Sequence, residues 1–206
     1  TGTHDLITSI LDQQGKASLA TKHLERAKQP IIKKPEGKKL AELNANSFRL
    51  LTPTDSSQPV PWSKGENADS SHSQVFLVGH PRSGTTLLEQ ALDAHDSVVS
   101  ADESEVFGNV ILSSWQPNLH AMPQQNIVEK LASIDPAIIL KSRNTYTNQM
   151  REHLGDAAKS TVWIDKNPAL IQSTILIDRL FPDAKLIVSL RDPRDVILSA
   201  YMQHLD

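Results

Sequence analysis

The sequence predicts an α/β fold, a parallel sheet flanked by helices, on three observations. Short apolar runs of the kind found in strands buried on both faces recur at Val75–Val78, Val162–Ile164 and Leu186–Val188. Segments with helical spacing separate them. A glycine-containing turn, Gly79–Gly84, joins the first run directly to a helix. Size and composition agree: 206 residues, 38% hydrophobic and 22% charged, are enough for one core and a smaller segment beside it.

Taken in order, Asp5–Gln14 reads as a helix with Leu6, Ile7, Ile10 and Leu11 on one face, broken by Gly15. A second helix, Lys16–Gln29, carries Ala17, Ala20, Leu24 and Ala27 as a small-residue stripe and is stopped by Pro30. This pair looks like the second half of a tetratricopeptide repeat, and an ordinary helical hairpin fits it equally, because a single copy shows no period. Residues 31–73 read as a linker. It holds a lysine cluster (Lys33, Lys34, Lys38, Lys39) best read as a solvated face, a helix over Leu40–Leu51, and a stretch rich in Pro, Ser, Asn and Gln. From residue 74 the α/β pattern begins: strand Val75–Val78, helix Thr85–Asp93, a short strand Val98–Ser100, and a mainly helical region 105–154. Strand Val162–Ile164, helix Ile171–Phe181, strand Lys185–Leu190 and helix Asp195–Leu205 follow. The expected organisation is therefore a helical pair over 1–30, a linker over 31–73 and the α/β part over 74–206.

Composition excludes several classes. With 21 Lys+Arg against 24 Asp+Glu the net charge is −3, which argues against a nucleic-acid partner. There is no Cys, so disulfides, cysteine-ligated zinc, iron–sulfur clusters and cysteine nucleophiles are out. The eight His show no ligand spacing, and no metal is expected. No apolar run is long enough to span a bilayer, and no signal peptide is visible. A cytoplasmic location is expected. The first residue is Thr rather than Met, which leaves a targeting segment and a Golgi lumen location open.

The chemistry concentrates in Gly79-His80-Pro81-Arg82-Ser83-Gly84-Thr85-Thr86, between a strand and a helix. Glycines let the backbone close around an anion, and the new helix aims free N–H groups and its positive dipole end at it. The spacing is that of a Walker A loop, with Thr85 in place of the Lys that reaches the β- and γ-phosphates. The cation is instead Arg82, inside the loop. This suits a single 5′-phosphate bearing a transferable group.

Pro81-Arg82-Ser83-Gly84-Thr85-Thr86-Leu87 resembles the 5′-phosphosulfate loop of sulfotransferases that use 3′-phosphoadenosine 5′-phosphosulfate (PAPS). The continuation Leu88–His95 is similar to the next helix of the tetratricopeptide-linked bacterial and tyrosylprotein branches, with Asp96 where those branches often have Pro. The resemblance implies that 74–206 is the N-terminal portion of a sulfotransferase domain, C-terminally incomplete, with donor contacts from Arg82, Ser83, Gly84, Thr85, Thr86 and Leu87. It also implies a 3′-phosphate site formed by Arg at a strand end and Ser eight residues on, here Arg191 and Ser199. An Arg at the C-terminal end of a parallel strand can fork two hydrogen bonds to phosphate in the crevice there. Asp192 and Pro193 read more simply as the N-cap and first residue of a helix. Lys166, in Asp165-Lys166-Asn167-Pro168 after a strand, takes by resemblance the lysine role at the sulfuryl or bridging oxygen. Leu180–Lys185 matches the lead-in to the 3′-phosphate strand, with Phe181 as an anchor and Pro182 as a stop.

Transfer to a hydroxyl needs a base. Asp102, Glu103 and Glu105 follow the first helix. In the tyrosylprotein branch the catalytic Glu stands 21 residues after the loop Arg, which implies Glu103; Ala101-Asp102-Glu103 replaces that branch's Gly-Glu-Glu. His95 and His120 are alternatives by resemblance to other branches, and an acidic helix start over 102–105 is the structural alternative. The implied reaction is in-line sulfuryl transfer from PAPS to an acceptor hydroxyl on a protein tyrosine, a small molecule or a glycan. It releases 3′-phosphoadenosine 5′-phosphate (PAP). Two other classes stay open: a non-catalytic scaffold on a nucleotide fold, and a P-loop phosphotransferase, against which Thr85 speaks.

Overall fold

A computed structural model describes residues 7–8, 10–11, 13–32, 62, 71–115 and 127–202. The lysine cluster, the helix expected over Leu40–Leu51 and His120 lie outside the described residues. The chain divides into two compact units, Thr1–Arg49 with Ile197–Asp206, and Leu50–Val196.

In the first unit the described positions between 7 and 13 are helical, Gly15 takes φ +68°, and helix α1 runs over Ala17–Ile32. The Lys16 N–H donates back to the Leu11 carbonyl (2.9 Å), so Gly15 ends the first helix in the left-handed cap conformation that glycine adopts without strain. Ala20 and Leu24 are buried at i, i+4 spacing, and the buried Thr8 hydroxyl donates to the Ala20 carbonyl (3.5 Å). Pro30 does not stop α1. It sits in the last turn, where a proline removes one N–H donor and only half a turn of helix follows.

The second unit is built on four parallel strands: β1 Ser73–Gly79, β2 Val98–Asp102, β3 Val162–Lys166 and β4 Lys185–Ser189, in spatial order β2-β3-β1-β4. All four strands being parallel, their C-terminal ends share one edge, where open α/β sheets bind ligands. β1 is internal to the sheet and apolar and buried over Val75–Val78, because both of its faces are covered there. Phe76 and Val78 face the larger core with Phe107, Trp115, Tyr146 and Trp163; Val75 and Leu77 face Ile164, Leu88, Leu92 and Ile187. Phe181 is the expected anchor, its ring 5.8 Å from that of Phe76 and 4.8 Å from that of Tyr146.

Helix α2 spans Thr85–Asp93, α3 Val106–Ser114, α4 Ile127–Ala132, α5 Pro136–Leu154, α6 Thr174–Leu180 and α7 Pro193–Tyr201. Of the boundaries that differ from expectation, three have a clear local cause. β2 continues to Asp102, because Asp102 pairs with Lys166 in the parallel register. The segment expected as one helix over Ile171–Phe181 opens with a 3-10 turn, Pro168–Ser173, before α6 begins. There Pro168 follows Asn167, whose side chain accepts from the Ala169 N–H (3.1 Å), a cap that starts the tighter turn. α7 begins at Pro193 rather than Asp195. Asp192 takes the N-cap role, accepting from the Arg194 N–H (2.9 Å), and Pro193 tolerates the first helical position because its missing N–H would have no partner there.

Candidate functional site

The loop after β1 is held open by backbone geometry. A Cβ on Gly79 would stand 2.8 Å from the Ser189 carbonyl oxygen and 2.8 Å from Ser83 Oγ, so only glycine fits between β1 and β4 at that point. Arg82 takes φ 74° and Gly84 φ 96°, both left-handed. Gly84 is the N-cap of α2, and no side chain caps the helix there. The first intrahelical bond runs from the Leu88 N–H to the Gly84 carbonyl (3.0 Å), which leaves the amides of the first turn, Thr85, Thr86 and Leu87, for an outside acceptor. Ser83 is buried, and its Oγ has no hydrogen-bond partner among the described residues. A buried hydroxyl without a partner beside uncapped amides is a cradle that a phosphate oxygen would satisfy. Thr85 is buried, while Thr86 and Leu87 are exposed at the rim.

Arg191 follows β4 and stands against this loop: its Nη1 donates to the Arg82 carbonyl (3.2 Å). The Ser189 hydroxyl donates to the Ser83 carbonyl (3.0 Å). β4 thus fastens the loop from the far side. Arg191 also pairs with Asp195 at 3.7 Å and remains half-exposed, within reach of a second anion. Ser199 lies further along α7, in the stretch that groups with the first unit.

On the other side of β1 the charged groups meet. Lys166 ends β3, and its side chain is 1% exposed. Its Nζ lies 3.4 Å from Glu89 Oε2 and 3.4 Å from Glu103 Oε1, and it is also in contact with Asp102 Oδ1. Burial alone would lower the lysine pKa. The Asp102 hydrogen bond and the charges of Glu89, Asp102 and Glu103 outweigh that, and hold it above the usual value. Lys166 is therefore a fixed cation at neutral pH. Glu89 is the buried member of the set. It sits one helical turn, about 5.4 Å, beyond Thr85 on the same face of α2, and accepts from the Ser100 hydroxyl (2.6 Å). One short helix therefore carries both the loop amides and the counter-ion of Lys166.

Glu103 follows β2 with φ 48°, left-handed for a residue other than glycine. Its N–H donates to the Lys166 carbonyl (2.7 Å), and its side chain is largely exposed. Only the last residue of the acidic stretch belongs to a helix start. Asp102 ends the strand and Glu105 is the N-cap residue of α3, because parallel pairing with β3 carries the backbone on to Asp102. His95 lies in the turn after α2, where its Nδ1 accepts from the Ser97 N–H (3.1 Å).

Sequence reasoning gave no role to Glu89, Asp165, Tyr146 or Ser104. Asp165 is fully buried and has no cation against it among the described residues. It accepts from the Tyr146 hydroxyl (3.0 Å) and the Ser104 hydroxyl (3.1 Å). Burial raises its pKa to about 6, although those two hydrogen bonds oppose the shift. Burial, with the Asp165 charge, drives the Tyr146 pKa well above its usual value, so Tyr146 stays a neutral donor. A carboxylate inside a buried-strand run was the one signal that could have singled out Asp165.

The crevice thus combines a phosphate-sized nest at the end of β1 with an arginine on one side and a buried lysine beside an exposed carboxylate on the other. The sulfotransferase family profile matches residues 74–206. The chain belongs to the sulfotransferase family. Among similar proteins, protein-tyrosine sulfotransferase A of Caenorhabditis elegans is 28% identical over 127 residues, 61% of this chain and 32% of the relative. Protein-tyrosine sulfotransferase 1 of Homo sapiens is 27% identical over 124 residues, covering 58% of this chain and 31% of the relative. An uncharacterized protein of Aquifex aeolicus (strain VF5) is 30% identical over 134 residues, 63% of this chain and 17% of the relative. The chain spans about a third of the length of the tyrosine sulfotransferases it matches. In this member of the family the predicted residues Arg82, Ser83, Gly84, Thr85, Thr86, Leu87, Glu103, Lys166 and Arg191 all lie at the C-terminal edge of the sheet.

Proposed function

We propose that this chain carries the donor site and transfer residues of an enzyme that moves a sulfuryl group from PAPS to an acceptor hydroxyl and releases PAP. The acceptor we propose is a protein tyrosine, in keeping with the names of the relatives above. The observation that carries the reading is the uncapped loop around a Ser83 hydroxyl with no partner among the described residues, beside a buried lysine held by Glu89, which stands one helical turn beyond Thr85. The amides of Thr85, Thr86 and Leu87 and the Ser83 hydroxyl would hold the 5′-phosphate. Arg191 would hold the 3′-phosphate. Glu103 takes the acceptor proton as the acceptor oxygen bonds to sulfur and the bond from sulfur to the phosphate oxygen breaks. Lys166 and Arg82 offset the charge that builds on that leaving oxygen. Positioning and fixed charge do the catalytic work, as in phosphoryl transfer.

Calorimetric titration of the chain with PAP, AMP and ATP tests the donor site. PAP is expected to bind at least tenfold more tightly than AMP, and Arg191→Ala to abolish that preference. Equal binding of AMP and PAP, tighter binding of ATP, or no binding of PAP by the folded chain would overturn the reading.

A further inference from the structure

The strained backbone of Glu103 has an identifiable cause. Left-handed φ at a residue with a side chain costs about 1 kcal/mol or more and persists only where surrounding contacts over-determine it. Here the three consecutive residues 165–167 grip residues 103 and 104 at three points. The Glu103 N–H donates to the Lys166 carbonyl (2.7 Å), the Ser104 hydroxyl to Asp165 Oδ1 (3.1 Å), and Asn167 Nδ2 to the Ser104 carbonyl (3.2 Å). Asn167 is itself tied to β1, its N–H donating to the Leu77 carbonyl (3.2 Å). Asp165 is fixed from behind by the Tyr146 hydroxyl of α5. A buried carboxylate without a cation is costly, and this one spends both oxygens on hydroxyl donors, one of which belongs to the residue after Glu103.

We propose that Asp165 is a positioning residue, acting through Ser104 to clamp the Glu103 backbone in its left-handed conformation and so keep the Glu103 carboxylate against Lys166. The catalytic meaning of the clamp rests on the transfer reaction proposed above; its existence does not. If the clamp is absent, the backbone of residue 103 is free to relax and the carboxylate loses its fixed place at the end of β2.

The test is a double-mutant cycle on the unfolding midpoint of the chain, with Glu103→Gly and Ser104→Ala. Glycine relieves left-handed strain, so Glu103→Gly is expected to melt about 2–4 °C above Glu103→Ala, the shift that 1 kcal/mol gives in a chain of this size. In the Ser104→Ala background that gain should vanish, because the backbone has already relaxed. Each Glu103→Gly midpoint is read against that of Glu103→Ala in the same background; both variants lack the Glu103–Lys166 ion pair, so their difference reports the backbone strain alone. An equal change in both backgrounds would overturn the proposal. In sulfuryl transfer, Ser104→Ala should lower kcat at least tenfold with PAP affinity and KM for PAPS unchanged. Asp165→Asn, if it folds, should do the same. Parallel losses of kcat and PAP affinity would point to general loosening and overturn the clamp. If PAP fails to bind the wild-type chain while the midpoints still couple, the clamp stands and the sulfotransferase reading falls. If PAP binds and the midpoints do not couple, the reverse holds.

Discussion

At the end of β1 the groups proposed to bind an anion are main-chain amides and one hydroxyl, supplied by consecutive residues 83–87. At the ends of β2 and β3 the charged groups are side chains of Glu89, Asp102, Glu103 and Lys166, which belong to three separate stretches of chain. The first region depends on local backbone conformation, and β4 only braces it. The second exists because strand register puts Asp102 beside Lys166 and because α2 folds back so that Glu89 reaches the lysine. A single substitution should therefore reshape the nest in a graded way. In the charge cluster it should strand a buried ion.

The largest effect is expected at Lys166. Lys166→Met keeps the volume but leaves Glu89 buried with no cation, and should cost about 3–5 kcal/mol in urea unfolding. Transfer should fall about 10²–10³-fold while PAP affinity changes much less, since the nest amides remain. A PAP affinity that collapses in parallel would show the two regions to be one.

Asp165 sharpens the contrast through pH. Its pKa is about 6 in the fold against 3.8 in the free side chain, so the folded state is the one that prefers the protonated acid. The destabilisation is fully present above pH 6 and is relieved as pH falls from 6 towards 4. Wild type should gain roughly 3 kcal/mol across the whole titration that Asp165→Asn cannot gain, of which about 1 kcal/mol appears between pH 7 and pH 5. Urea midpoints of the two proteins at pH 7 and pH 5 measure it; curves that stay parallel would show the carboxyl is not held up.

The smallest effects belong to the nest. Gly79→Ala drives a methyl into the Ser189 carbonyl and Ser83 Oγ, and should cost about 2 kcal/mol and weaken PAP binding with it. Gly84→Ala meets open space, and should cost only the strain of its φ of 96°, about 1 kcal/mol. Thermal unfolding of the two variants checks the order; a Gly84 loss exceeding that of Gly79 would place the tight point elsewhere.

The nest was legible in the sequence because its parts are contiguous: a buried strand, Gly79, Arg82, Gly84, and a helix whose bounds Thr85–Asp93 match expectation. The charge cluster was legible only in part. Glu103 and Lys166 came from resemblance, and the structure sets their carboxylate and ammonium 3.4 Å apart. Glu89 escaped notice because a glutamate within a helix ordinarily faces solvent, and nothing in its own segment says that a lysine nearly 80 positions later will cover it. Asp165 escaped because its two partners, Ser104 and Tyr146, stand 61 and 19 residues away.

By itself, then, the sequence determined the α/β class, the strand–loop–helix nest and the cap at Asp192, because these follow from apolar runs, glycine freedom and capping chemistry within a few residues. Only the tertiary structure decided which carboxylate is buried, why Glu103 is strained and how far β2 extends. Those properties are set by the pairing of β2 with β3 and by the burial of α2 against them, and pairing partners distant in the chain leave no local pattern.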